Sequence, residues 1–515
     1  MQLEGKYSFL LLSWEINKIQ EMQLIQNAAK YSSKTAIVDS HGSYTYSRLL
    51  EDSKKVAFQL LQSYKKPDLD GARVAFMVSP GFDYVKTQWG IWLAGGIAAP
   101  LCISYPLPSL TYVIDDTSAS ILVYGSEYKE ILQPLLEREN LIGIEISEIE
   151  NIEEQDRALP EVPLDRGAMI LYTSGTTNLP KGVLTTHRII QSQIKTLVDA
   201  WMWTQEDYTI GILPLHHVHG IINVLSCCLY AGGTIEFIHP FSAEKVLDTF
   251  VSGRVNVFMA VPTIYYKLIT AYESLSKEAQ ELLSSQLPKF RLMVSGSAAL
   301  PVSVMEKWKQ ISGHYLLERY GMTEIGMAIS NPYEGVRKAG HIGFPLPGVD
   351  IRLVNEEELI VLPGHPGEIQ VKGPCVFKEY WGKPEATAKA FTEDGWFKTS
   401  DIAEVEDGYF RILGRDSVDI IKSGGYKISA LEIEEVLRKH EHIKDCGVVG
   451  IPDEEWGELV VAGLVCDHEL DSLELNEWLR ERMPAYKTPR KYIFLGDLPR
   501  NVMGKVTKNE LKKLF

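Results

Sequence analysis

The sequence predicts an α/β protein: a large N-terminal domain of packed, mostly parallel sheets with helices, a β-rich subdomain, and a small C-terminal α+β domain. Three observations carry this. Short apolar runs such as Ala72–Met77 and Ser120–Tyr124 alternate with helix-length stretches such as Tyr46–Ser63, the pattern of βαβ units. From about Gly335 to Arg411 the texture shifts to glycine, proline and short β-branched runs, among them Ile351–Val354 and Glu368–Val371. After Gly414 a tail of roughly 100 residues remains, enough for a small domain. It holds helix-like stretches at Ala430–His440 and Leu473–Met483, with a strand-like run at Cys446–Ile451 between them. The boundary falls in Gly414–Val418.

Composition narrows the function classes. The 515 residues are 45% hydrophobic and 23% charged, with a net charge of −16. Wholesale binding to nucleic acid or an anionic membrane needs clustered Lys and Arg and is not expected. A local cationic pocket for a small anion stays open. Six cysteines show no CxxC spacing, so neither a disulfide scaffold nor a zinc site is expected. The run Tyr7–Trp14 is short and meets Glu15 at once, which does not fit a signal peptide. Trp89–Pro108 carries three glycines and three prolines and reads as buried strand and turn rather than a membrane span. The expectation is a reduced, cytoplasmic chain with no stable membrane insertion.

The most informative segment runs from Ala168 to Val183. An apolar strand enters a loop of Thr173, Ser174, Gly175, Thr176 and Thr177, with Lys181 and Gly182 beyond it. Hydroxyls and free backbone N–H groups in such a loop can wrap a polyphosphate, and a lysine offsets its charge. The loop is not a Walker A motif, which needs Gly-Lys-Ser/Thr after four intervening residues. The segment resembles the first signature of the adenylate-forming acyl-activating enzymes, with Asn178 where glycine is usual. Asparagine tolerates positive φ, so the loop can keep its shape.

Further matches follow in the family's order. Glu318, Arg319, Tyr320, Gly321, Met322, Thr323 and Glu324 resemble the adenine and metal motif. The resemblance implies an aromatic on the adenine, Thr323 on phosphate and Glu324 on Mg²⁺. Ser295-Gly-Ser-Ala-Ala299, with Ser297 and Ala298, resembles the strand and turn bordering the adenine. Asp401 and Arg415 resemble the pair holding the ribose hydroxyls, and Pro499–Lys505 the segment ending in the adenylation lysine. The family activates a carboxylic acid with ATP and passes it to coenzyme A. The implied catalytic groups are Lys505, Glu324, Thr323 and Lys181, with ATP, Mg²⁺ and coenzyme A as cofactor and co-substrates.

The resemblance also implies a mobile C-terminal domain. Residues 1–414 form the AMP- and acyl-binding domain, 415–419 the hinge, and 420–515 the moving domain. Lys422, Ser423, Gly424 and Gly425 resemble the loop that faces the pantetheine after rotation, its glycines allowing close approach. The usual hinge Asp or Lys is Ser417 here, and the pivot is Asp416, Ser417 or Val418.

Leu213–Gly220 resembles the acyl-pocket motif, with three histidines in four positions. No suitably spaced carboxylates accompany them, so a metal site is not expected; His217 gates the pocket or positions the substrate carboxylate. Lys289–Pro301, with Ser295, resembles the malonyl-CoA synthetase branch. There the arginine at the Arg291 position pairs with the second carboxylate of a diacid. A forked guanidinium suits that task, and an apolar acid would leave it buried and unpaired. Malonate is expected first and methylmalonate second, ahead of a medium-chain fatty acid. An acyl carrier protein is the alternative acceptor, and a non-catalytic ATP-binding relative and a luciferase-like oxygenase are the remaining classes.

Overall fold

The computed structural model describes residues 22–151, 158–173, 179–501 and 504–515. Ser174, Gly175, Thr176 and Thr177, the apolar run Tyr7–Trp14, and Asn178 lie outside the described residues. Among the described residues the strands form four sheets. One nine-stranded sheet has six consecutive parallel strands between antiparallel edges. A seven-stranded sheet is likewise parallel through its centre, with antiparallel strands Lys181–Thr186 and Glu379–Tyr380 at one edge. An antiparallel four-stranded sheet of residues 350–415 is the β-rich subdomain. A five-stranded sheet with helices makes the C-terminal unit.

Local chemistry sets the element boundaries. Helix Tyr46–Tyr64 starts where the Thr45 hydroxyl accepts from the Arg48 amide, and ends at Lys65 in the left-handed region. Its buried Leu49, Val56 and Leu60 recur at helical spacing. It packs on helix Phe82–Leu93 through Gly90, where an added Cβ would meet Val56 at 2.5 Å. That second helix corrects the strand reading of Trp89–Pro108: Trp89–Leu93 ends the helix, and the strand is only Ile97–Pro100. An all-round apolar run of this length gives no period to separate helix from strand.

Strands Val257–Ala260, Leu292–Ser295 and the first four residues of Leu317–Met322 are buried, as expected of a sheet covered on both faces. Their register sets Ala260 beside Ser295 and Ser295 beside Glu318. The carboxyl ends of parallel strands are where α/β sheets bind ligands. The chain leaves the third sheet at Arg415, crosses a turn, and enters the fourth at Ile420. All six cysteines are free. Among the described residues no helix is long and apolar enough to cross a membrane.

Candidate active site

Three elements converge at the carboxyl end of the large sheet. Strand Leu317–Met322 supplies Glu318, Arg319 and Tyr320, all buried. The turn after Leu292–Ser295 supplies Ser297, held at φ +71°, a conformation few non-glycine residues adopt and one that clusters at functional sites. Residues His219–Ser226 form a π-helix, a rare geometry also frequent at such sites. It aims His219 inward, and its Nδ1 lies 3.1 Å from the Ser297 hydroxyl.

Arg319 is the central group. It is 4% exposed and donates from Nη2 to the Ser297 hydroxyl at 3.1 Å. Its Nε has no hydrogen-bond partner, and no ion pair to it exists among the described residues. Gly296 lies flat against it: a Cβ there would sit 2.6 Å from the Arg319 Cζ. Burial alone pulls the guanidinium down to about 9, since a buried cation without an anion loses its hydration uncompensated.

The neighbouring bases share this condition. Burial, then His216 and Lys505, bring His217 down to about 3. Burial, then Arg319, hold His219 well below its ordinary value. Lys505 keeps an exposed surface and is also lowered, by desolvation first and then by Arg319 and Arg415, with Asp401 opposing, so Lys505 reaches this cluster from the C-terminal unit. His217 Nε2, His219 Nε2 and the Ser295 hydroxyl are buried without partners. Buried polar atoms without partners, gathered beside Arg319, mark a place where a ligand can supply the missing hydrogen bonds. The motif reading selected His217; His219, two residues on, is the deeper of the pair.

A second arm holds Asp401 and Arg415. Arg415 donates through Nε to Asp401 Oδ1 at 2.9 Å and through Nη2 to Oδ2 at 3.2 Å. The Tyr320 hydroxyl donates to Asp401 Oδ2 at 2.7 Å. Glu318 is buried and pushed up to about 8, by desolvation first and by nearby Glu435 last. Gly321 and Met322 close the strand, Thr323 begins the following turn, and Ala298 is exposed in the turn after Ser297.

The phosphate arm is built from the seven-stranded sheet. Thr173 and Lys181 face each other across the hairpin whose loop carries the polar run. The Lys181 ammonium sits 4.8 Å from the Tyr380 ring centre, and the Tyr380 hydroxyl donates to Glu324 Oε1 at 3.0 Å. Glu324 is 5% exposed, and its carboxyl is raised, mostly by burial. A cavity of about 540 Å³ opens beside Lys181, also lined by Lys383 and Lys389. Nothing in the local sequence linked Tyr380 to Glu324, because the two are 56 residues apart.

Among the described residues no group of three His, Cys, Asp or Glu side chains forms a metal cage. A lone buried carboxylate still fits Mg²⁺, which is usually held by one or two carboxylates plus substrate phosphates.

Two groups lie elsewhere. Arg291 sits before the amino end of its strand, four residues below Ser295, or roughly 13 Å of extended chain. It donates from Nε to Asp207 Oδ1 at 2.6 Å, from Nη2 to Asp207 Oδ2, and from Nη1 to the Trp201 carbonyl at 2.8 Å. The Asp207 side chain is fully buried. Arg291 is thus spent on an internal pair, and the expectation that it meets the second carboxylate of a diacid is corrected. Lys422, Ser423, Gly424 and Gly425 form a hairpin turn against Trp456, with Gly424 donating to the Trp456 carbonyl. In this arrangement Lys505, and not that turn, enters the site.

The sequence model of the AMP-binding enzyme family matches residues 24–381, and that of the AMP-binding enzyme C-terminal domain matches residues 432–505. The mitochondrial malonate–CoA ligase ACSF3 of Xenopus laevis is 43% identical, over 95% of this chain and 91% of its own. The crystal structure of ATP-bound MatB from Rhodopseudomonas palustris is 33% identical, covers 96% of this chain and 99% of that one, and superposes with a TM-score of 0.88. Apo MatB from the same organism, 32% identical over the same shares, gives 0.79. The arrangement here is nearer to the ATP-bound form.

Proposed function

This chain belongs to the AMP-binding enzyme family, and on that premise we propose that it joins a short dicarboxylic acid to coenzyme A, malonate first and methylmalonate second. The observation that carries the choice of acid is Arg319, a fully buried guanidinium with no carboxylate partner among the described residues. A fatty acid would leave it unpaired. A second carboxylate on the substrate supplies the missing anion in the forked geometry that arginine favours. The relatives' names support the same substrate.

In the first step a carboxylate oxygen attacks the α-phosphorus of ATP, and the bond to the β-phosphate breaks to release pyrophosphate. Two like unit charges 4 Å apart repel by about 4 kcal/mol at an effective dielectric near 20. Lys505 and Lys181 offset that repulsion, and the neutral imidazoles of His217 and His219 can donate hydrogen bonds to the developing charge. Asp401 and Arg415 hold the ribose, Tyr320 borders the adenine, and Thr323 and the loop from Thr173 meet the phosphates. Mg²⁺, held by Glu324, would neutralise phosphate charge.

In the second step the thiol of coenzyme A attacks the acyl carbonyl and AMP leaves. The C-terminal unit turns about residues 415–419, withdrawing Lys505 and bringing Lys422–Gly425 to the pantetheine. The turn suits a pivot: Arg415 is tied to Asp401 on one side, and Asp419 to Lys508 on the other. The compartment we propose is a reducing one, the cytoplasm or the mitochondrial interior that the Xenopus relative's name carries.

The test is mass spectrometry of products from purified protein, ATP, Mg²⁺, coenzyme A and a panel of malonate, methylmalonate, succinate, acetate and octanoate. Malonyl-CoA as the dominant product is expected. Thioesters from the monoacids alone would discard the diacid pocket and keep the ligase.

A further inference from the structure

One contact between the C-terminal unit and the rest of the protein is a charged cap. Helix Val302–Ser312 begins after Pro301 with no side-chain cap of its own. The Val302 amide instead donates to both carboxylate oxygens of Glu435, at 3.0 and 3.2 Å. Glu435 belongs to helix Ala430–Leu437 of the C-terminal unit. A carboxylate satisfies an otherwise orphaned donor there and meets the positive end of the helix dipole.

The capped helix follows directly on the turn that holds Ser297 against Arg319 and His219. The capping helix is coupled just as directly to Lys505. Its next residue back, Glu434, is 4% exposed and pairs with Lys508 at 2.8 Å, while Lys508 also pairs with Asp419 at 2.7 Å. Lys508 lies three residues beyond Lys505, and the two flank a short bridge in which Arg500 pairs with Val506. At Gly504, held at φ +74°, an added Cβ would sit 2.9 Å from the Thr263 hydroxyl. The Lys505 loop is therefore pressed on the large domain at one point and tied through Lys508 to the Glu435 helix at another.

We infer that Glu435 is a positioning residue for the first half-reaction: its cap on Val302 docks the C-terminal unit and thereby seats Lys505 in the site. Glu435 touches no substrate. Its contact exists only in this docked arrangement and breaks when the unit turns, so it favours adenylation without contributing to thioester formation. The inference rests on the two-step ligase reading.

The test compares Glu435→Ala and Glu435→Gln with the unaltered enzyme in two separate half-reactions, together with amide hydrogen exchange on the ligand-free protein. Loss of a hydrogen bond to a charged group predicts a fall of roughly tenfold in kcat of acid-dependent ATP–pyrophosphate exchange. The KM for ATP should change little, and thioester formation from supplied acyl-AMP should keep its rate or gain. Glu435→Gln, which retains the oxygen acceptor, should recover part of the loss. In hydrogen exchange, Glu435→Ala should speed both the peptide holding Val302 and the peptide holding Gly504–Val506. Faster exchange at Val302 alone, with both half-reactions intact, would reduce Glu435 to a helix cap and overturn the inference. Equal loss in both half-reactions would overturn it as well. The exchange measurement needs no turnover, so it decides the docking even if the ligase reading itself fails.

Discussion

At the scale of single residues the account turns on two arginines with opposite surroundings. Arg291 is paired to a fully buried carboxylate, whereas Arg319 is buried with none among the described residues. Removing one partner of a buried pair strands the other charge and costs about 3–5 kcal/mol, while replacing an uncompensated buried charge with an apolar group removes its desolvation penalty. Arg291→Met is therefore expected to lower the midpoint of urea unfolding sharply, and Arg319→Met to leave it unchanged or raise it in ligand-free protein. Equal losses in the two variants would contradict the assignment. The sequence made this pair hard to tell apart. Arg291 opens a strand inside a motif rich in site residues, and only the three-dimensional approach of Asp207, 84 positions away, reveals that its charge is already used. Arg319 was legible as a site residue but was read as a nucleotide contact, because its lack of a carboxylate partner among the described residues is a fact of packing rather than of spacing.

At the scale of elements, most of the framework was legible because its periods are clear. The stretch read as helix at Tyr46–Ser63 is helix Tyr46–Tyr64, and the strand-like run at Cys446–Ile451 lies inside strand Ile443–Asp453. The π-helix at His219–Ser226 was not legible: its sequence is a mostly apolar run with no spacing that separates a π-helix from an α-helix. Packing constrains Gly220, since a Cβ there would lie 2.6 Å from the Pro214 carbonyl oxygen. Gly296 carries a sharper consequence, because the atoms its Cβ would meet are those of the Arg319 guanidinium. Gly296→Ala should displace that group and raise the KM for malonate by roughly tenfold or more, an energy near 1.4 kcal/mol. The KM for ATP should move less. Steady-state kinetics with each substrate varied in turn checks this, and a change confined to ATP would place Gly296 in the nucleotide arm instead.

At the scale of the whole molecule, a protein of net charge −16 brings His217, His219 and Arg319 together with Lys505 beside them, and gives Arg319 no carboxylate partner among the described residues. Burial is the main cause holding His217, His219 and Arg319 toward their neutral forms, a state that a polyanionic ligand reverses. The two-sheet framework, the separate C-terminal unit and the distant origin of Lys505 follow from motif order along the chain. The docking of that unit through Glu435 does not, since a single glutamate on a charged helix carries no signal of the helix it caps. The central claim is that Arg319 recognises the second carboxylate of the acid. The most direct measurement is kcat/KM for malonate and for butyrate, a monoacid of similar reach, in the unaltered enzyme and in Arg319→Met. Loss of a charged, desolvated pair predicts a fall of about 100-fold or more in malonate-over-butyrate selectivity, with butyrate turnover retained or improved. An unchanged ratio, with both acids slowed alike and the KM for ATP raised, would contradict the claim and return Arg319 to the nucleotide.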